Sequence, residues 1–221
     1  MNILKKIAVI IISSILGALV SLMTGVRTKR NSEMPLLVEK MVFYANHNSH
    51  GDFMLIWSSL PKMWRQKVRP VAGADYWLKG PIRRLISQDV FHALLITRNS
   101  GNPTQAIEDM SKALQNGDHL MIFPEGTRNT TDEILQPFKS GIYHLASMQP
   151  ETVFVPIWLS NIKHVLPKGH ILPVPLICEV HIGQGIQLQE NEERDAFLQR
   201  TRDALLSLSQ HSSEYNEHHH D

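Results

Sequence analysis

The chain has 221 residues with a formal net charge of +1, and 43 % of its residues are hydrophobic against 19 % charged. This length suits one globular domain with a sizeable core and a small appendage. The composition excludes intrinsic disorder, and the near-neutral charge argues against a nucleic-acid partner.

The first predicted element is a membrane helix at residues 7–26, a stretch without charged side chains. At about 1.5 Å rise per residue, its length matches a hydrocarbon core about 30 Å thick. Lys5 and Lys6 could also begin a signal peptide, but no Ala-x-Ala cleavage site follows. Basic residues lie on both sides, so charge alone does not orient the helix. We therefore assign residues 1–30 to an N-terminal membrane anchor with basic flanks.

Small side chains recur at every fourth position of this predicted helix. They are Ser13, Gly17, Ser21 and Gly25. Such a face permits the close approach of a second helix, so an oligomer could form through the membrane helix. The alternative is a chance scatter of small residues in a weakly apolar anchor.

Downstream of the anchor, short apolar runs alternate with amphipathic stretches, which is typical of an α/β domain. Several runs are apolar on both faces, as expected for central strands covered by helices. The predicted strands are Met41 to Ala45, Val71 to Ala74, Phe91 to Thr97, His119 to Phe123, Val153 to Leu159 and Ile177 to Ile182. We predict one α/β domain over residues 31–210, with a mostly parallel central sheet flanked by helices.

Capping residues and apolar periodicity predict two clear helices in this domain. The first runs from Pro103 to about Asn116, because Asn102 can cap its start and Gly117 suits its end. With the strands on either side, it forms a βαβ unit. The second, near residues 192–209, has a stripe of side chains that indicates core packing. The stripe consists of Phe197, Thr201, Leu205 and Leu208.

The remaining cysteine and histidine residues predict no metal centre. The single cysteine, Cys178, follows an apolar run and is expected to be a buried, unreactive thiol. The polar tail at residues 211–221 contains His218, His219 and His220, which could bind adventitious metal but are more simply a solvated end. No Gly-rich phosphate loop is present in the sequence, which disfavours nucleotide hydrolysis.

The segment that says most about chemistry runs from Asn46 to Asp52, directly after a predicted strand. Ser49 and Asp52 have capping-box spacing, so Asp52 could simply satisfy free amides in the first turn of a helix. The same turn can bring its carboxylate to the imidazole of His47. That contact would fix the tautomer and stabilise the imidazolium formed on proton uptake. His47 and Asp52 are therefore predicted to be a catalytic base and its partner.

Two other roles are conceivable for this segment. His47 and His50 could be metal ligands, but no third ligand is identifiable by spacing, so no metal is predicted. Ser49 could be a covalent nucleophile, but no Gly-x-Ser-x-Gly elbow surrounds it.

His47, four intervening residues and Asp52 match the HxxxxD signature of the glycerolipid acyltransferases, and the chain resembles the 1-acyl-sn-glycerol-3-phosphate acyltransferase branch of that family. Three further stretches are similar to the family's later blocks, in the same order. Arg98 corresponds to the second block, with His92 where glycine is common. The third block is matched by Phe123 to Arg128 followed by Pro137 to Gly141, and the fourth by Val155 to Trp158.

The resemblance implies roles for these blocks in binding both substrates. It assigns the acceptor to Arg98, Glu125, Gly126, Thr127, Arg128 and Lys139. It also implies that Pro156 helps to bind the acyl donor, although a strand interruption or an edge residue is the simpler interpretation of a proline there. No cofactor is implied, because acyl-CoA or acyl-carrier protein serves as co-substrate.

The basic residues of these blocks have the chemistry that an anionic acceptor requires. Arg98 and Arg128 each follow a predicted strand, so both guanidiniums would emerge at the sheet end near the HxxxxD turn, and a planar fork suits a phosphate monoester. Lys139, before a predicted helix at residues 140–148, would place an ammonium beside free amide donors. The alternative for Arg128 is an internal salt bridge with Glu125.

The activity implied by the resemblance is acyl transfer to the sn-2 hydroxyl of 1-acyl-sn-glycerol-3-phosphate, giving phosphatidic acid in phospholipid synthesis. An anchored enzyme would take this lysophospholipid acceptor from the membrane while the acyl thioester donor arrives from the cytosol, which favours a catalytic domain on the cytoplasmic face. Two alternatives stay open. One is an acyltransferase for another lysophospholipid or a hydroxyl-bearing amino-acid lipid, and the other is a non-catalytic lipid-binding membrane protein.

Overall fold

A computed structural model describes residues 9, 11–12, 14–15, 27–30, 40–49, 51–97, 103–160 and 178–210. The membrane helix predicted at residues 7–26 therefore lies largely outside the described residues, although those described within it are helical. Within the described ranges, no helix has both the length and the apolar character needed to cross a membrane. Other predictions that fall outside these ranges concern the small residues of the anchor, His50, Arg98, Asn102 and the tail at residues 211–221.

The described residues form a seven-stranded sheet whose spatial order is β1-β7-β6-β2-β5-β3-β4. Strands β2 to β6 all run in the same direction. Strand β7 is antiparallel to β6 and parallel to β1. The strands are β1 (Arg27–Arg30), β2 (Met41–Ala45), β3 (Val68–Gly73), β4 (Leu94–Ile96), β5 (His119–Ile122), β6 (Val153–Ser160) and β7 (Glu179–Ile182). The predicted α/β class with a mostly parallel sheet is confirmed.

Helices cover both faces of this sheet. They are α1 (Asp52–Ser59), α2 (Lys62–Arg65), α3 (Ala74–Trp77), α4 (Pro81–Arg84), α5 (Pro103–Gln115), α6 (Gly141–Met148) and α7 (Arg194–Ser209), with a π-helical turn at Leu85–Val90. The predicted helices at residues 103–116, 140–148 and 192–209 correspond to α5, α6 and α7 within two residues at each end. Helix α5 crosses from β4 to β5 and completes the predicted βαβ unit.

Three segments differ from the sequence interpretation. Residues 27–30, assigned to the basic flank of the anchor, form β1 and pair with β7. Strand β3 begins at Val68, three residues before the predicted start. The predicted strand from Phe91 is only three residues long, because the buried ring of Phe91 packs edge-on against Phe53 and Trp57 instead of entering the sheet.

The two sides of β2 explain how the sheet is covered. All five of its residues are fully buried. Met41 and Phe43 belong to the layer that contains α1, whereas Val42 and Tyr44 belong to the layer that contains α5, α6 and α7. The Tyr44 hydroxyl donates to the carbonyl oxygen of Thr201 in α7 at 2.9 Å. Because successive side chains of a strand point to opposite faces, an apolar run of this kind requires helices on both.

Pro156 lies inside the sheet, in β6 between β2 and β7, so the interpretation of this proline as an edge residue is wrong. It does interrupt a ladder. The regular β6–β7 register ends at Ile157, and the carbonyl of Pro156 accepts the N–H of Gly183 at 3.0 Å beyond it. Since proline has no N–H to donate, the end of a ladder is the position in an interior strand where it costs least.

Gly183 lies at this interruption, where the neighbouring side chains leave no room for a Cβ atom. A Cβ there would lie 2.9 Å from Cγ of Pro156 and 3.1 Å from a methyl group of Leu208. The proline ring cannot rotate away, so overpacking must move backbone. We expect Gly183→Ala to lower the free energy of unfolding by about 1–3 kcal/mol. Urea unfolding followed by tryptophan fluorescence measures this change. Gly51→Ala is the control, because a Cβ at Gly51 would lie 3.5 Å from its nearest neighbour, an ordinary contact distance. Gly117→Ala is unsuitable, because the positive φ of Gly117 adds strain of its own.

His119, at the start of β5, is buried, and neither of its ring nitrogens makes a hydrogen bond. Burial lowers its pKa below 6.5, with Lys67 lowering it further and Asp118 opposing. An unfolded histidine therefore takes up a proton below about pH 6.5 while the folded one resists, so the folded state loses stability as the pH falls. We expect the free energy of unfolding to fall less between pH 7.5 and 5.5 in His119→Leu than in the wild type. Equal slopes would contradict this assignment.

Candidate active site

The turn that follows β2 is held against β6 by Asn46. Its buried side-chain amide donates to the carbonyl of Leu159 at 3.0 Å, and its carbonyl oxygen accepts the N–H of the same residue at 2.8 Å. These two bonds imitate one more rung of the parallel sheet after β2 ends. They fix the point from which His47 leaves the strand.

The next contact is the predicted pair. His47 Nδ1 lies 2.8 Å from Asp52 Oδ2. The Asp52 side chain is fully buried and that of His47 is 19 % exposed. Because an ionised carboxylate can only accept, the proton of a neutral imidazole sits on Nδ1, which leaves Nε2 with its lone pair free. Nε2 makes no hydrogen bond to any described residue, so it is the atom available to a substrate.

The Asp52 carboxylate is held by four donors in all. Besides His47, its Oδ2 accepts the backbone N–H of Asn48 at 2.6 Å and that of Ser49 at 2.9 Å, and its Oδ1 accepts the Ser49 hydroxyl at 2.8 Å. The carboxylate therefore folds back over the turn that carries the histidine, and its orientation does not depend on the imidazole alone.

Capping of α1 differs from the prediction. The helix begins at Asp52 with Gly51 at the N-cap and no side-chain cap bond. Ser49 Oγ instead accepts the N–H of Gly51 at 3.0 Å and donates to the carboxylate. Only the half of a capping box in which the acid accepts the serine N–H is present. The Ser49 hydroxyl thus donates to the Asp52 carboxylate and not to an imidazole, so it lacks the histidine base that commonly activates a serine nucleophile.

A second carboxylate supports the histidine from the loop after β5. Glu125 is 1 % exposed, and its Oε1 accepts the backbone N–H of His47 at 2.7 Å while its Oε2 accepts that of Gln136 at 3.1 Å. Burial raises the pKa of Glu125, an effect opposed by these two hydrogen bonds. Through these two bonds, Glu125 joins the turn that carries His47 to Gln136, farther along the loop that contains Glu125.

Two more groups enclose the imidazole. The ring of Phe123 stacks on that of His47 with centroids 4.1 Å apart and an interplanar angle of 18°. The backbone carbonyl of His47 accepts the N–H of Asn129 at 2.7 Å. Asn129 is buried and its side chain closes a local turn by accepting the N–H of Thr131. The imidazole ring is therefore held on one face by Phe123 and at Nδ1 by Asp52. The backbone of His47 is held at its N–H by Glu125 and at its carbonyl by Asn129.

The loop between β5 and α6 carries the other predicted binding residues. It closes on itself where the N–H of Lys139 donates to the carbonyl of Pro124 at 2.8 Å. Gly126 has φ +74°, and a Cβ there would lie 3.2 Å from Cγ of Lys139, so both backbone conformation and space favour glycine. The aliphatic stem of Lys139 passes beside Gly126 as a result.

The predicted substrate-binding residues fall into three groups. Gly126, Thr127, Arg128 and Lys139 are exposed. Glu125 is buried behind His47, and among the described residues no ion pair joins it to Arg128, so the alternative salt bridge is absent. Arg98 lies outside the described residues. Direct contact of these residues with an acceptor stays a prediction.

Two further parts of the sequence interpretation, metal binding and the single thiol, concern residues that the structure describes in part. Within them, no group of three or more histidine, cysteine, aspartate or glutamate side chains could hold a metal ion. Cys178 is a buried thiol immediately before β7, as predicted. Asn46, Phe123, Asn129 and Gln136 were not predicted as site residues, although Asn46 and Phe123 flank the motifs directly.

Comparison with known proteins shows the family to which the chain belongs. The Acyltransferase family profile matches residues 8–160, more than half of the chain. The chain belongs to that family. The resemblance to the glycerolipid acyltransferases found in the sequence is confirmed.

Two curated relatives of this acyltransferase are both named 1-acyl-sn-glycerol-3-phosphate acyltransferase. The protein of Saccharomyces cerevisiae is 30 % identical over 147 residues, which cover 63 % of this chain and 45 % of the relative. That of Cocos nucifera is 28 % identical over 163 residues, which cover 70 % and 48 %. The chain therefore spans about half the length of the curated relatives it matches.

The fold of this acyltransferase also resembles a solved structure. The crystal structure of the 1-acyl-sn-glycerophosphate acyltransferase PlsC from Thermotoga maritima superposes with a TM-score of 0.72. The alignment covers 95 % of this chain and 82 % of that one, at 16 % sequence identity. At this identity the likeness establishes a shared fold.

Proposed function

We propose that this acyltransferase transfers a fatty acyl group from acyl-CoA or acyl-carrier protein to the sn-2 hydroxyl of 1-acyl-sn-glycerol-3-phosphate, giving phosphatidic acid. The observation that carries the proposal is the buried Asp52 carboxylate 2.8 Å from His47 Nδ1, with Nε2 uncommitted. A histidine oriented in this way is a general base for an alcohol.

The reaction needs no acyl-enzyme. His47 Nε2 takes the hydroxyl proton as the acceptor oxygen attacks the thioester carbonyl carbon, and Asp52 stabilises the imidazolium that forms. Collapse of the tetrahedral intermediate breaks the C–S bond, and the imidazolium returns its proton to the departing thiolate. The products are an ester and a free thiol, so the histidine ends in its starting protonation state.

The acceptor phosphate would be held by Arg98, Arg128 and Lys139. Arg128 and Lys139 belong to the loop that Glu125 ties to the His47 turn, and both are exposed. Guanidinium and ammonium groups bind a phosphate monoester by charge-assisted hydrogen bonds. Gly126 and Thr127, also exposed, would contribute backbone and hydroxyl donors from the same loop.

The donor would lie near Pro156 and the membrane would supply the acceptor. In support of this, Pro156 lies in β6 opposite Tyr44 of β2, and Asn46, directly after β2, bonds to Leu159 of the same strand. We further propose that residues 7–26 anchor the enzyme in a membrane with its catalytic domain on the cytoplasmic side, where acyl thioesters are made and the lipid acceptor is within reach.

Product analysis tests this function. The purified full chain is incubated with an acyl-CoA or an acylated carrier protein and a mixture of lysophosphatidate, other lysophospholipids and a hydroxyl-bearing amino-acid lipid, and the products are quantified by mass spectrometry. We expect phosphatidate as the main product. Preference for an acceptor without a phosphate monoester would replace the proposed substrate, and a protein that binds lipid but releases no thiol would replace the proposed activity.

A further inference from the structure

Two aliphatic side chains stand out from the surface in the segment between β3 and the π-helical turn. Leu78 is 38 % exposed and Ile82 is 71 % exposed. They lie on either side of the turn that joins α3 to α4. A Cβ added to Gly80, in that turn, would meet no atom within 4 Å. The turn therefore projects from the body of the domain and presents both side chains outward.

Basic and aromatic side chains surround this pair. Lys79, Arg83 and Arg84 are exposed, and Asp75 is the one acidic residue between positions 75 and 84. The Arg83 guanidinium lies over the ring of Tyr76, 4.3 Å from its centroid. Aliphatic side chains that can enter the acyl region, beside cations that contact anionic headgroups, make up the composition of an interfacial membrane-binding segment.

The segment lies at the edge of the sheet that carries the catalytic pair. Strands β2 and β3 are both parallel to β5, so their carboxyl ends meet at one edge. The first leads into the His47 turn and the second into α3. After the segment, Phe91 packs on Phe53 of α1 with centroids 4.9 Å apart, and α1 begins with Asp52. The projecting turn is thus fixed relative to the dyad.

We propose that residues 75–84, here called the docking surface, bind the surface of a bilayer that contains anionic phospholipids, in addition to any contact made by residues 7–26. The docking surface holds the catalytic edge at the interface, where a lysophospholipid can enter without leaving the membrane. This purpose rests on the proposed function, but the binding itself does not.

A protein partner fits the docking surface less well. A stable protein interface buries about 800 Å² on each side and has an apolar centre. Two exposed aliphatic side chains among three cations do not supply such a centre. Shallow insertion of a few side chains, assisted by charge, is sufficient for a bilayer, because each basic residue near an anionic surface adds about fivefold in affinity.

Site-specific fluorescence in the full chain tests the docking surface. In a Cys178→Ala background, Ile82→Cys is labelled with an environment-sensitive dye, and Gln115→Cys serves as the control at the opposite edge of the sheet, where it is also exposed. Vesicles of phosphatidylcholine with or without phosphatidylglycerol carry brominated acyl chains as quenchers. We expect a blue shift and quenching at position 82 on the anionic vesicles and neither at position 115. High salt should reduce the signal, as should the pair Lys79→Gln and Arg84→Gln.

Each other outcome overturns the proposal. No quenching at position 82 on vesicles, or equal quenching at both positions, would show that the docking surface does not insert. A blue shift that grows with protein concentration without vesicles would assign it to a second copy of the chain. Quenching that is equal on neutral and anionic vesicles would remove the role of the cations.

Turnover gives an independent measurement. The variant Leu78→Ser with Ile82→Ser should lose rate on a long-chain acceptor embedded in anionic vesicles and keep the wild-type rate on a water-soluble short-chain acceptor. Equal rates of variant and wild type on the embedded acceptor would contradict the docking role in catalysis. If the wild type acylates neither acceptor, the proposed function fails while the fluorescence result still decides whether the docking surface binds membrane.

Discussion

Replacement of His47 by alanine is expected to lower kcat for acyl transfer about a hundredfold to ten-thousandfold, because the hydroxyl loses its general base. The substitution leaves the backbone anchors of residue 47 in place, since the N–H bond to Glu125 and the carbonyl bond to Asn129 do not involve the ring. Asp52 keeps three of its four hydrogen-bond donors. The fold should therefore survive, and the loss should fall on the chemical step.

Steady-state release of the donor thiol measures this effect, with circular dichroism to confirm folding. His144→Ala is the matched control, because His144 is an exposed histidine on α6 with no contact to the dyad. KM for the acceptor should change little in either variant. Near-normal turnover of His47→Ala in folded protein would reject the mechanism.

Asp52→Asn separates orientation from proton uptake. Asparagine has one acceptor oxygen where the carboxylate uses two, so its NH₂ must face a donor of the turn. We expect kcat to fall about a hundredfold or more, because the imidazolium loses its counter-charge and the wrong tautomer is favoured. Unlike His47→Ala, this variant should also unfold at lower urea concentration, since a buried group is left unsatisfied.

The contact between His47 and Asp52 could be predicted because it is local in sequence. Four residues separate His47 from Asp52, and a turn entering a helix brings such positions together regardless of the rest of the fold. The boundaries of α5 could be predicted for the same reason, since Pro103 and Gly117 favour the start and the end of a helix through their local backbone conformation. Alternation of apolar runs with amphipathic stretches gave the fold class.

The supporting shell could not be predicted because it depends on strand order. Glu125 reaches the N–H of His47 across 78 positions, and Asn46 reaches Leu159 across 113. Both contacts exist because β2 lies between β5 and β6, an order that the sequence does not state. The pairing of Arg27–Arg30 with β7 belongs to this class, since four polar residues carry no periodicity that predicts a strand.

Packing also overrode a local pattern at the start of β4. The apolar run from Phe91 predicts a strand, but the aromatic cluster that Phe91 makes with Phe53 and Trp57 pulls its first residues out of the sheet. Strand propensity measures how well a side chain fits a half-buried pleated surface, so an alternative apolar contact can replace it. The same contact ties the docking surface to the helix that carries Asp52.

Glu125 could either bind the acceptor or position His47, and we expect Glu125→Gln to show that it positions His47. Its two carboxylate oxygens each accept one backbone N–H, from His47 and from Gln136. Glutamine offers one oxygen and one NH₂, so one of these amides must face a donor. The His47 turn or the loop behind it must then shift. A displacement of this kind costs turnover more than binding, because the base loses alignment with the reacting hydroxyl.

We therefore expect kcat of Glu125→Gln to fall about tenfold to a hundredfold while KM for the acceptor changes little, on the scale of misplaced catalytic groups. Glu133→Gln is the matched control, because it makes the same chemical change at an exposed side chain of the same loop. Kinetics with the acceptor varied at saturating donor separate the two constants. A rise in KM at unchanged kcat would instead assign the Glu125 carboxylate to the acceptor. The burial of that carboxylate behind the imidazole, and the use of both its oxygens by backbone amides, favour the loss in kcat.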